Sequence, residues 1–88
     1  MKYFSLDDKI DKSIFAKFVE FYNNNFNEKR VIVIYTRGGC GYTAETMVHM
    51  INKMPDVAII VEAAYSSGFY IAYNVKCPII LSRTAKGM

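Results

Sequence analysis

The sequence predicts an α/β fold, a small parallel β-sheet with crossover helices packed on it. Val31-Ile32-Val33-Ile34-Tyr35 is a β-branched run without polar alternation, the pattern of a strand covered on both faces. Val57 to Val61 and Pro78 to Leu81 repeat that strand character further along the chain. Between these runs lie two segments with apolar residues at helical spacing. Strand, helix, strand, helix, strand is the order of a right-handed parallel sheet.

The elements follow from the N-terminus. Residues 7 to about 23 place Ile10, Ile14, Phe15, Phe18, Val19 and Tyr22 three or four apart, which predicts a helix capped by Asp7 or Asp8. Asn23-Asn24-Asn25 ends it, and a polar connection through Glu28 leads to the first strand. That strand stops at Thr36-Arg37-Gly38-Gly39, where paired glycines allow a tight turn and close approach of another group to the backbone. Thr43 to Met54 reads as a helix with Met47, Val48, Met50, Ile51 and Met54 as its apolar face, closed by Pro55. Ser66 to about Asn74 forms the next crossover helix. The expected organisation is one domain over residues 1–88. Residues 1–29 supply the N-terminal helix and its connection, and residues 30–88 the β-α-β-α-β core.

Composition bounds the function classes. The 88-residue chain is 52% hydrophobic and 15% aromatic, too apolar for a disordered segment and rich enough to leave apolar surface for an interface. Its net charge of +3 comes from scattered lysines and arginines without a dense basic run, which argues against nucleic acid as a partner. No run is long enough to span a membrane and no secretory h-region is present, so the chain reads as cytoplasmic. Cys40 and Cys77 fit that compartment as free thiols. With a lone histidine and no Cys-x-x-Cys pair, neither a metal nor another cofactor is expected.

In a parallel α/β sheet, ligands meet the carboxyl ends of the strands, where turns into helices present backbone N–H groups. Gly38-Gly39 and Val61-Glu62-Ala63-Ala64-Tyr65-Ser66-Ser67-Gly68 both fall on that edge. Two readings of Ser66 stand side by side. It is a candidate nucleophile, with Gly38, Gly39 and Ser67 as oxyanion-binding positions, or it is the N-cap of the helix it opens.

The strand Val31–Tyr35 with its Gly38-Gly39 turn, a following helix carrying the small Ala44, and the Ala63-Ala64-Tyr65-Ser66-Ser67-Gly68 elbow resemble the core of the Clp protease proteolytic subunit and its crotonase-like relatives. The resemblance covers about residues 30 to 82 and implies a shortened half-unit of that fold. It implies Ser66 as the serine-protease-like nucleophile and Gly39 and Ser67 as the oxyanion donors. Three positions depart from the family's typical forms. Glu62 stands for an elbow glycine, Tyr65 for a small alanine before the serine, and Arg37 for the proline of the glycine turn. A carboxylate near a developing oxyanion opposes its charge.

The family also places a histidine about two dozen residues after the serine, and the chain ends near that point. His49 lies instead on the helix after the glycine turn and reads as a surface or packing residue. Lys76 and Lys86 are the remaining candidates for a base, although neither sequence setting is apolar enough to hold a lysine neutral. Cys40, near a helix start, reads as a small buried residue in preference to a reactive thiol.

The expected function is therefore a non-catalytic, pseudoenzyme-like interaction protein that forms a homo-oligomer or binds a protein partner. An inhibitor encoded by a phage or other mobile element, and so a viral protein, is one form of that reading, prompted by size. The alternative is a serine hydrolase or peptidase using Ser66, its base supplied by a lysine, another subunit or residues outside this chain. Binding of a small acyl ligand to the two N–H donors belongs to the same site.

Overall fold

The computed structural model describes residues 1–7, 9–24, 28–64 and 67–87. The chain runs β1 (Lys2–Leu6), α1 (Lys12–Asn23), β2 (Arg30–Thr36), α2 (Gly41–Lys53), β3 (Val57–Ala64), α3 (Ser67–Asn74) and β4 (Ile79–Gly87). The four strands are parallel and lie in chain order, β1-β2-β3-β4. The fold is the α/β sheet with crossover helices that the strand runs predict. It has one strand more than expected.

That extra strand is β1. Its five residues are too short for a periodic signal, but Phe4 and Leu6 alternate into the core while Tyr3 and Ser5 face away. Each β1 residue pairs with one of Arg30 to Ile34 in register. The N-terminal ammonium pairs with Glu28 just before β2, and this holds the Glu28 carboxyl below its usual range.

The first helix starts later than the stripe suggests. Its cap is Asp11, whose Oδ1 accepts from the Ile14 N–H at 3.0 Å, and Asp7 does not serve. Asp8 lies outside the described residues, as does Asn25 in the polar connection. Ile10 is buried as the stripe requires, but it forms an isolated bridge to Gly39 ahead of the helix. At the other end of α1, the buried Arg30 donates from Nη1 to the Tyr22 and Asn24 carbonyls at 3.2 Å, and to Phe21 O at 3.5 Å. A guanidinium taken from the next strand thus caps carbonyls that a helix end leaves without partners.

Right-handed crossovers between strands in sequential order carry every helix to the same side of the sheet. Accordingly α1 packs on α2 and α2 on α3. The core lies between this helical layer and one sheet face, with Phe18, Leu6, Ile32, Ile34, Met47, Ile51, Ile59 and Ile71 fully buried. The expectation that the central strands are covered on both faces therefore needs correction. Helices cover one face, while on the other, among the described residues, Tyr3, Tyr35 and Ile80 stand exposed above the buried Val31 and Ala58.

The third strand also runs past Val61 to Ala64. Ile34 pairs with Val61 and Tyr35 with Ala63, so Glu62 is the extra residue of a β-bulge, and it is exposed. With the bulge, β3 continues as far as Ala64, and α3 begins at Ser67. Among the described residues, no helix is long and apolar enough to cross a membrane.

Candidate functional site

The two motifs singled out in the sequence meet at the carboxyl end of the sheet. β2 ends at Thr36, which is buried, and its Oγ1 accepts from the Gly38 N–H at 3.1 Å. Gly38 and Gly39 follow at φ 112° and 151°, in the region that favours glycine. The group that approaches Gly39 is the chain itself. The Ile10 N–H donates to Gly38 O at 2.8 Å and the Cys40 N–H to Ile10 O at 2.9 Å. A Cβ on Gly39 would stand 2.3 Å from Ile10 O, so no larger residue fits without moving the backbone.

The elbow is pressed against this turn from the other side. Gly68, in the first turn of α3, is buried, and a Cβ there would lie 2.4 Å from Thr36 Cγ2 and 3.8 Å from Ala64 Cβ. Thr36 is therefore shared: its hydroxyl shapes the glycine turn while its methyl receives the elbow. Sequence reasoning noticed Gly68 as part of a motif and missed Thr36. A threonine ending a strand directly before a glycine turn is the signal that would have found it.

Of the candidate oxyanion-binding positions, Gly38 has its N–H committed to Thr36 within the turn. Gly39 is held by the Ile10 bridge, and Ser67 is the first residue of α3. Ser66 and Tyr65 lie outside the described residues, as do the side chains of Ser67 and Lys86.

Of the candidate bases, Lys86 pairs through its backbone with Ala63 at this edge, its side chain outside the described residues, whereas His49 and Lys76 stand exposed elsewhere. His49 is exposed on α2, with Nε2 4.0 Å from Glu45 Oε1 one helical turn earlier. Lys76 is exposed beyond the end of α3, its backbone N–H donating to Asn52 Oδ1 at 2.8 Å.

Cys40 corrects another expectation. It is the exposed N-cap residue of α2, not a buried filler. Its side chain makes no full capping bond, but the Thr43 hydroxyl, followed by the Thr43 N–H, holds the thiol below its ordinary range. Cys77 is half-buried against the core, and burial pushes its thiol up.

No family model matches this chain, and no curated protein does. Solved structures do. ClpP1 from Listeria monocytogenes superposes with a TM-score of 0.68 at 18% identity, over 83% of this chain and 46% of that one. The ClpP protease catalytic domain from Plasmodium falciparum gives a TM-score of 0.69 at 18% identity, over 93% of this chain and 54% of that one. The chain thus spans about half the length of the structures it matches. At this identity the likeness speaks for architecture alone, and the architecture agrees with the glycine turn and elbow built above: the chain has a ClpP-like fold.

Proposed function

We propose that this chain is a non-catalytic, Clp-protease-like interaction protein that self-associates or binds a protein partner. What carries the reading is the surface the fold leaves uncovered. β4 is an edge strand whose Ile79, Ile80 and Leu81 are all exposed, and edge strands that stay single are normally blunted by charge, proline or a covering element. Of the candidate bases whose side chains are described, His49 and Lys76 both stand exposed, which adds to it, since a serine without an aligned base loses several powers of ten in rate. Light scattering over a concentration series, together with pulldown from host lysate, tests the reading. A lone monomer in both would refute it.

One observation favours the hydrolase reading. Gly68 and Thr36 bring the serine elbow against the glycine turn, the arrangement an acyl-binding oxyanion site needs. In that reading Ser66 attacks an acyl carbon and its base is supplied by a lysine, by another subunit or by residues outside this chain; Lys86, which pairs through its backbone with Ala63, is the lysine nearest the elbow along the sheet. A fluorophosphonate probe decides between the two. The interaction reading expects no intact-mass increase, whereas an adduct that disappears in Ser66→Ala establishes the hydrolase.

A further inference from the structure

We draw no further inference here: the strongest candidate, the outward sheet face on which Tyr3, Tyr35 and Ile80 stand exposed above the buried Val31 and Ala58, is an unpartnered apolar surface, and nothing in the structure shows what covers it.

Discussion

Leu6, Ile32, Ile34 and Ile59 are fully buried on one side of the sheet, while Tyr3 and Tyr35, on β1 and β2 with them, and Ile80 on β4 stand exposed on the other. Strand composition does not explain the difference. Val31 and Val33 are as apolar as Ile32 and Ile34, and Val31 is buried as well. Strand order explains it, because sequential right-handed crossovers send α1, α2 and α3 to one side. A run of β-branched residues reports that both faces are apolar; which face receives helices is decided by connections.

The largest effect should separate the two faces directly. Phe18 is fully buried in α1, with its ring edge-on to Phe4 at 5.5 Å between centroids. Phe18→Ala is expected to cost about 3–5 kcal/mol by urea denaturation. Tyr35→Ala, measured at low concentration, should stay within about 0.5–1 kcal/mol, because its ring is largely in water already. Equal losses would mean that the outer face is covered within a single chain.

A second pair of substitutions probes the tight end of the sheet. Gly39→Ala forces a Cβ onto the Ile10 backbone at a positive φ, and a loss of about 2 kcal/mol or more is expected. Gly41→Ala, two residues on, meets nothing within 4 Å and opens α2, so it should be neutral or stabilise by up to about 1 kcal/mol. Thermal denaturation of the two variants side by side is sufficient. A mild Gly39→Ala would show that the Ile10 bridge is not what holds the turn.

Arg30 tests the helix face from its polar side. Its guanidinium is buried among carbonyls at the end of α1 and lies 5.8 Å from the Phe21 ring centroid. Arg30→Met keeps the apolar stem and removes the donors, leaving buried carbonyls without partners. A loss of about 1.5–3 kcal/mol is expected, read from the denaturant midpoint at constant slope.

Much of this architecture was legible in the chain, for identifiable reasons. Val31 to Tyr35, the stripe ending at Tyr22, and Gly38-Gly39 each carry a local periodicity or a conformational requirement that needs no tertiary information. Lys2 to Leu6 was not legible, because five residues of half-buried strand are indistinguishable from a tail until Arg30 to Ile34 supply the ladder. Nor was the role of Ile10. It belongs to the apolar stripe by spacing but is claimed by Gly39 through a backbone bridge that no side-chain pattern records. At the site, the sequence located the two motifs and the structure added what joins them, the Thr36 methyl under Gly68 and the Thr36 hydroxyl on Gly38. The outward exposure of Cys40 depended on where α2 begins, two residues earlier than the apolar face suggests.

That exposure gives the smallest and most local test of the contrast between covered and open surface. Alkylation requires the thiolate, so its rate follows both access and the pH at which each thiol ionises. Cys40 is exposed and its ionised form is favoured by the Thr43 hydroxyl, so its labelling should reach half its maximal rate below the ordinary thiol range. Cys77 is half-buried against the helix-side core and burial opposes its ionisation, so its curve should be displaced to higher pH. At neutral pH, iodoacetamide followed by peptide mass mapping should show Cys40 modified faster than Cys77, since access and ionisation both favour it. Comparable rates would mean that the core beneath the segment entering β4 opens readily to solvent. The helix-covered side would then be less secure at the β4 edge than Ile59 and Ile71 make it elsewhere.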